Sequence, residues 1–296
     1  MPGFQELIYR FERSISILGR SPSTFKNYSM HVAAIALHYG KIPTELDQEQ
    51  IHEYLFMLQQ RSITPSQTYF KHTVYGLRFL LKSEGHPYSY LHLPAIQKEQ
   101  KLPVVLSKQE VWAMLKACTL LKHKVLIGLL YGCGLRCLEV RSVKLADLDI
   151  DRRQLKVVQG KGRKDRYVPL SEHLIRGLKS YISAERPTDY LFGGLNIIDR
   201  AGGDFDSRYS QKGVQWAVKE AAKKAGIIKD VHVHTLRHTC ATHLLEDGMD
   251  IISVKNFLGH ESIETTLLYL HVAQLQTKPV FSPLDTLFSE CSLSGK

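Results

Sequence analysis

The sequence predicts a mainly α-helical protein with one small β-hairpin, an α+β chain in two domains, and three observations lead to this prediction. Apolar residues recur at helical spacing from the N-terminus to about residue 90, as in amphipathic helices. Residues 92–106 contain two prolines and no periodicity, which is typical of an interdomain linker. Two strand-like segments, 150–158 and 166–170, flank a polar turn that contains glycine, which is the pattern of a hairpin.

The first 91 residues are expected to form four helices joined by short loops, which make a small bundle. The first helix has apolar residues at helical spacing from Phe4 to Leu18, and the second follows a cap signal at residues 21–23. The third helix follows Leu46 and Asp47, and the fourth follows Thr64-Pro65-Ser66. This part is therefore predicted to be a separate helical domain.

Residues 107–273 are expected to form a second domain that mixes helices with the hairpin. Ser107 is placed to cap a helix over 108–117, and the glycine-rich segment 193–203 is predicted to be a loop. The tail, 274–296, carries a short apolar piece, LDTLF, that could dock elsewhere. Further helices are predicted over 125–131, 138–143, 172–184 and 212–225, with three short ones over 234–272.

Composition and charge favour a cytosolic protein with a polyanionic partner. The chain has 39 Lys and Arg against 29 Asp and Glu, a net charge of +10, and nucleic acid is the commonest partner of such a basic chain. Its five cysteines include no C-x-x-C pair, so a disulfide or zinc framework is not expected. No apolar run approaches the roughly 20 residues that cross a bilayer, and the charged N-terminus has no signal-peptide pattern.

Three histidines near the C-terminus first suggest a metal site. His234, His238 and His243 are spaced four and five apart, and H-x-x-x-H can place two imidazoles on one helix face. The residues between the first two are Thr-Leu-Arg, so no glutamate is there to act as a base. Arg237 would also lie beside a dication, which is electrostatically unfavourable. The pattern therefore argues against a metal-dependent hydrolase.

The same region and two earlier motifs favour the binding of a phosphate. Arg237 lies three residues after His234, so the two share a helix face, and its planar fork of donors suits two phosphate oxygens. Arg136 follows a Gly-Cys-Gly bend that would present it at a rim, with Glu139 one turn on to orient it. The turn GKGRKDR carries four cations at a predicted hairpin tip: Lys161, Arg163, Lys164 and Arg166.

Taken singly, each of these residues also has an ordinary structural explanation. Arg136 and Glu139 could form a surface ion pair of small energetic value, and the cationic turn could serve solubility. His260 could cap a helix after Gly259, and Tyr269 could be a core aromatic among leucines. Their joint occurrence favours a functional site.

The order of these motifs resembles the tyrosine recombinase (phage integrase) family closely, and the proportions look like the Xer and integron-integrase branch. The motifs occur in the family's order and at compatible intervals, and the helical N-terminal part is similar to the family's SAM-like core-binding domain. The matching segments are GLRCLEV at 134–140, GKGRKDRYVPL at 160–170, HTLRHTCATHLLEDG at 234–248 and LGHESIETTLLYLHV at 258–272.

The resemblance implies a chemistry and a role for each matching residue. Tyr269 would be the nucleophile that attacks a DNA phosphodiester to form a 3′-phosphotyrosyl link. Arg136 and Arg237 would bind the non-bridging oxygens, and Lys161 would protonate the departing 5′-oxygen. Four further roles are implied: His234 assists proton transfer at the nucleophile, His260 donates to the phosphate, Glu139 supports the site, and Arg163, Lys164 and Arg166 contact DNA. His238 is assigned to structure.

The resemblance also implies an assembly and a setting. The core-binding domain (1–91) and the catalytic domain (107–273) would clamp double-stranded DNA, with the linker 92–106 crossing the backbone. Recombination would require a homotetramer on DNA, and the tail 274–296 could be exchanged between subunits. No metal, ATP or other cofactor is expected, because the arginines, the lysine and the imidazoles supply the positive charge. Integration, excision or transposition of a mobile element would be the task, without a membrane and in the cytoplasm.

The sequence departs from the family pattern at two places, and two other functions are alternatives to recombination. The family often has proline where this chain has Val233, and His232 adds an imidazole nearby. No role is assigned to segment 193–203. The rivals are a catalytically silent DNA-binding regulator of the same fold, and an enzyme similar to type IB topoisomerases that relaxes supercoils.

Overall fold

The structure is a computed structural model that describes residues 1–60, 67–86, 102–158, 165–194 and 206–274. Its chain forms two compact units, residues 1–100 and 101–296. Most of the predicted linker and all of the tail beyond residue 274 lie outside the described residues, so the exact domain boundaries stay predictions. In the described ranges, no helix has both the length and the apolar character needed to span a membrane.

The first unit contains the four predicted helices: α1 (Phe4–Ile17), α2 (Pro22–Tyr39), α3 (Gln48–Gln60) and α4 (Gln67–Ser83). Helix α1 buries the stripe Leu7, Phe11 and Ile15, which are spaced four apart and therefore lie on one face. Helix α2 begins where the Ser21 side chain accepts a hydrogen bond from the Thr24 amide, the cap that the sequence predicts.

The second unit contains a three-stranded antiparallel sheet in the order β1 (Leu148–Asp149), β2 (Gln154–Val157) and β3 (Arg166–Pro169). The pairing of β2 with β3 confirms the predicted hairpin, with Leu155 opposite Val168. Both of these side chains are fully buried, so the inward face of the sheet joins the core. Strand β1 was not predicted, because two residues are too short to show alternation. The turn at 159–164 lies outside the described residues.

Eight α-helices of this unit lie in the described ranges, and the helices predicted before residue 226 are confirmed to within a few residues at each end. Helix α5 begins with the expected cap, because Ser107 and Glu110 bond each other's backbone amides at 3.1 and 2.7 Å. The eight are α5 (Lys108–Ala117), α6 (Leu121–Gly132), α7 (Cys137–Arg141), α8 (Glu172–Glu185), α9 (Gln211–Lys224), α10 (Val233–Glu246), α11 (Ile251–Leu258) and α12 (Glu264–Leu267).

Two glycines bring the later helices onto the start of α7. Gly134 has a φ of 58°, a conformation that favours glycine, and a Cβ there would lie 2.8 Å from Leu258 Cδ2, so a side chain at this position would press against α11. Gly259 has a φ of 65° and ends α11 in the left-handed conformation, as helix C-caps commonly do. These close approaches place the carbonyls of Gly134, Leu258 and Gly259 within reach of the arginines described below.

Candidate active site

The tertiary fold gathers the candidate residues from five separate parts of the second unit. The start of α7 supplies Arg136 and Glu139, and strand β3 supplies Arg166. The third part is α10, with His234, Arg237 and His238, and the fourth is a 3₁₀ turn, Leu268–His271, that holds Tyr269. His260 follows the α11 C-cap. Lys161, Arg163 and Lys164 lie outside the described residues, so their roles stay predictions.

Glu139 is the anionic centre of the site. Its side chain is 6% exposed and accepts a 2.6 Å hydrogen bond from Arg136 Nη1. Arg166 binds both carboxylate oxygens through Nη1 and Nη2 at 2.9 Å, a bidentate geometry that fixes both groups. Burial alone would raise the pKa of Glu139, but Arg166 and then Arg136 outweigh it and hold the pKa at about 2. The structure therefore places Arg136 and Glu139 in contact, and the supporting role of Glu139 stays a prediction.

The structure places Arg166 on strand β3, whereas the sequence analysis groups it with the cations of the hairpin tip; its contact with DNA stays a prediction. Its side chain is only 11% exposed, because β3 is covered here by the C-terminal end of α11. Besides the two bonds to Glu139, its Nε donates to the Phe257 carbonyl at 3.0 Å. The guanidinium of Arg166 therefore links strand β3 to Glu139 on α7 and to the end of α11.

The two arginines of the predicted phosphate site differ in burial. Arg237 is 3% exposed, and its Nη1 and Nη2 donate to the Gly134 and Leu258 carbonyls at 2.5 and 2.6 Å. Burial and then the neighbouring charge of Arg136 lower the pKa of Arg237 to about 10, so it remains a cation at neutral pH. The Arg136 side chain is 20% exposed and donates from Nη2 to the Gly259 carbonyl at 3.2 Å. Arg136 therefore lies nearer the surface, as the bend before it predicts.

Tyr269 is buried as deeply as a core aromatic, yet its hydroxyl faces polar groups. The residue is 2% exposed, and the hydroxyl lies 3.0 Å from His238 Nδ1. The His260 ring stacks on the phenol with centroids 6.1 Å apart and an interplanar angle of 20°. Burial raises the pKa of Tyr269, while the charges of Arg237 and Arg136 act to lower it. The ring of Tyr269 therefore packs as a core aromatic, while its hydroxyl contacts a polar group.

The other two histidines line the same region. His234 is exposed, its ring centroid is 6.2 Å from that of His238, and burial of part of its ring, then Arg237 and Arg136, lower its pKa. His260 Nδ1 lies 2.8 Å from Thr266 Oγ1, which is itself fully buried. In the ranges that the structure describes, no three His, Cys, Asp or Glu side chains are arranged to hold a metal ion.

His238 is the residue whose position the sequence reasoning missed. The sequence predicts a structural role for His238, the second histidine of the HTLRH segment, yet its Nδ1 contacts the hydroxyl of Tyr269. The spacing of four residues from His234 places His238 on the same face of α10 as that histidine. The same spacing also fits a pair of metal ligands, so it does not by itself predict the contact with Tyr269.

An α-helical unit with one small sheet that surrounds a buried tyrosine hydroxyl with imidazoles and arginines has the architecture of a tyrosine-type site-specific recombinase. The phage integrase family model matches residues 104–276. The chain belongs to that family and is a tyrosine-type site-specific DNA recombinase.

Relatives of known name extend the match to nearly the whole chain. A putative integrase/recombinase, y4qK, of Sinorhizobium fredii is 34% identical over 283 residues, which cover 94% of this chain and 88% of the relative. The tyrosine recombinase XerA of Thermococcus onnurineus is 31% identical over 275 residues, with coverages of 92% and 93%.

Two solved structures share the fold. A crystal structure of a XerA recombinase is 25% identical, with a TM-score of 0.51 and coverage of 99% of both chains. The Tn1549 transposon integrase in complex with a circular intermediate DNA has a TM-score of 0.68 at 14% identity, covering 97% of this chain and 99% of that one.

The Glu139 cluster predicts a large stability change. Glu139→Gln removes a buried anion that bonds two partly buried guanidinium groups, so we expect the free energy of unfolding to fall by about 3–5 kcal/mol. Because the folded pKa of about 2 lies below the ordinary 4.5, the stabilisation is present above pH 4.5 and is lost as the pH falls toward 2. Urea unfolding of both proteins across this range measures the difference.

A surface ion pair is the control for this measurement. Asp247 bonds Lys108 at 2.6 Å, but the two side chains are 60% and 59% exposed, so Asp247→Asn is expected to cost less than about 1 kcal/mol. Equal losses for the two variants at neutral pH would contradict the assignment of Glu139 as the centre of the site.

Proposed function

We propose that the protein cuts and rejoins duplex DNA at a specific site through a 3′-phosphotyrosyl intermediate formed on Tyr269, and that it serves the integration, excision or transposition of a mobile element. The observation that carries this proposal is the environment of the Tyr269 hydroxyl. It is buried, it contacts an imidazole at 3.0 Å, and two arginines act to stabilise its anion. A buried tyrosine that served packing alone would not require these cations.

The proposed reaction exchanges one phosphodiester for another. The Tyr269 oxygen attacks phosphorus, the bond to the 5′-oxygen breaks, and Lys161 gives a proton to the departing oxygen. Arg136 and Arg237 stabilise the charge that develops on the non-bridging oxygens. His234 assists proton transfer at the nucleophile, and His260 donates to the phosphate. Since the bond energy is kept in the phosphotyrosyl link, a 5′-hydroxyl of a partner strand can reverse the step without ATP or a metal ion.

The proposed partner is double-stranded DNA. The net charge of +10 supports a binding energy that comes mainly from phosphate contacts and falls with salt. Residues 1–91 would be the core-binding domain and residues 107–273 the catalytic domain, joined by the linker 92–106. Two cleaved duplexes require four active subunits, so a homotetramer on DNA in the cytoplasm is proposed, with the tail 274–296 exchanged between subunits.

A trapping experiment tests this function. Duplexes selected by binding from a random-sequence pool are nicked near the point of cleavage, so that a released fragment diffuses away and the covalent adduct accumulates. In EDTA we expect a protein–DNA adduct whose tryptic peptide maps to Tyr269, together with a free 5′-hydroxyl. Binding without an adduct would instead indicate a silent regulator, and loss of the adduct in EDTA would indicate a metal-dependent enzyme.

A further inference from the structure

His238 on α10 contacts the Tyr269 hydroxyl, whose oxygen is the nucleophile of the proposed mechanism. His238 lies one turn beyond His234, so both rings lie on the side of α10 that faces the site. The Nδ1 of His238 is 3.0 Å from the Tyr269 hydroxyl, and the two ring centroids are 5.6 Å apart at an angle of 50°. This is hydrogen-bond distance for a proton transfer between the two side chains.

A second tyrosine–histidine pair, whose histidine also lies on α10, allows a comparison within the protein. Tyr131 on α6 and His243 on α10 form the same kind of contact, with the hydroxyl 2.9 Å from Nδ1. Burial and then the charges of Cys240, Asp247 and Glu246 raise the pKa of Tyr131 to about 12. At Tyr269, by contrast, Arg237 and Arg136 oppose the effect of burial. The two arginines therefore reduce the cost of a phenolate at Tyr269, whose pKa is still raised overall. At Tyr131 the neighbouring groups add to the effect of burial.

We propose that His238 accepts the phenolic proton of Tyr269 as the tyrosine attacks DNA, and so acts as the general base of the cleavage step; this inference rests on the proposed function. The imidazole is neutral beforehand, with its lone pair on Nδ1 and its proton on Nε2. The O–H bond of Tyr269 breaks toward Nδ1 while the Tyr269 oxygen–phosphorus bond forms. The phosphorus–O5′ bond breaks, and Lys161 supplies the proton for that oxygen. In the reverse step, the His238 imidazolium returns its proton to the phenolate.

The charged groups around His238 agree with this proton path. In the DNA-free protein, burial and then His234 and Arg237 lower the pKa of His238 to about 4, so its lone pair is available at neutral pH. A phosphodiester anion bound by Arg237 would offset that cation and strengthen His238 as a base. His238 then takes the proton-transfer role that the family resemblance implies for His234. The exposed His234 and His260, whose ring stacks on that of Tyr269, remain for contacts with the phosphate.

Two substitutions of His238 distinguish a residue that accepts a proton from one that only holds Tyr269 in place. His238→Asn keeps an acceptor oxygen near the position of Nδ1 but cannot take up a proton, whereas His238→Ala removes both. We expect both variants to form the adduct about 10²–10⁴-fold more slowly. The rate of His238→Asn should rise about tenfold for each pH unit between 7 and 9 as hydroxide replaces the base, because tyrosine ionises only above about pH 10. The wild-type rate should stay nearly level.

The matched control is His243→Asn, which alters the Tyr131 pair on the same helix and is expected to leave the adduct rate within about threefold of wild type. Wild-type-like cleavage by His238→Asn would overturn the proposal. A rate that is reduced but independent of pH would also overturn it and would assign His238 to positioning.

A modified DNA tests which proton His238 moves. When sulfur replaces the 5′-bridging oxygen at the cleaved phosphate, the leaving thiolate needs no proton, so loss of a general acid is compensated. We expect this substrate to restore adduct formation to Lys161→Ala but not to His238→Asn. Restoration of His238→Asn would place His238 on the leaving-group side and overturn the proposal. An adduct that forms without Tyr269 would instead overturn the proposed function, so the two failures are distinguishable.

Discussion

Tyr269→Phe is expected to abolish the covalent adduct, with a rate at least roughly 10⁴-fold below wild type, because no other group replaces a missing covalent nucleophile. The substitution removes one oxygen from a site where the ring is already buried and stacked on His260, so the fold should survive. The loss of the bond to His238 should lower the free energy of unfolding by only about 1–2 kcal/mol. Denaturing gels of the trapped complex and urea unfolding measure the two effects.

Tyr131→Phe is the matched control for this result. It also deletes a tyrosine hydroxyl that lies within 3 Å of an α10 imidazole, at 2.9 Å from His243. We expect a similar small loss of stability with cleavage within about threefold of wild type. An adduct formed by Tyr269→Phe, or equal loss of cleavage in both variants, would exclude Tyr269 as the nucleophile.

Arg237→Lys is expected to lower the cleavage rate by about 10²–10³-fold, the usual effect of losing one preorganised donor to a transition state. The guanidinium bonds two carbonyls, of Gly134 and Leu258, and is thereby held rigidly. In the proposed mechanism it stabilises the charge on a phosphate oxygen. A lysine keeps the charge but cannot satisfy both carbonyls and a phosphate in one plane. DNA affinity should change only a few-fold, because many other phosphate contacts contribute to binding. Single-turnover cleavage and salt-matched binding measure the two quantities.

Arg141→Lys controls for the removal of any buried guanidinium. Arg141 is 9% exposed, and it donates to the Tyr209 carbonyl and, at 2.9 Å, to Asp206. This variant should lose stability while its cleavage rate, measured well below its unfolding temperature, stays close to wild type. Equal losses of cleavage rate in Arg141→Lys and Arg237→Lys would show that the effect at Arg237 comes from general destabilisation.

Much of the fold was accessible from the sequence because the relevant signals are local. The cap residues Ser21 and Ser107 marked helix starts that the structure confirms, and the segments around Leu155 and Val168 marked the hairpin. The family also followed from the sequence, since its motifs are short and occur in a characteristic order. The two-residue strand β1 could not be predicted, since it exists only through its pairing with β2.

The sequence by itself determined the class of protein and the residue types of its site, including the pairing of Arg136 with Glu139, which lie one turn apart. Only the tertiary structure decided what those residues contact. Arg166 reaches Glu139 across 27 positions of sequence, and His238 reaches Tyr269 across 31. Such contacts depend on how α11 and the final 3₁₀ turn pack against α10, and no local periodicity or cap signal carries that information.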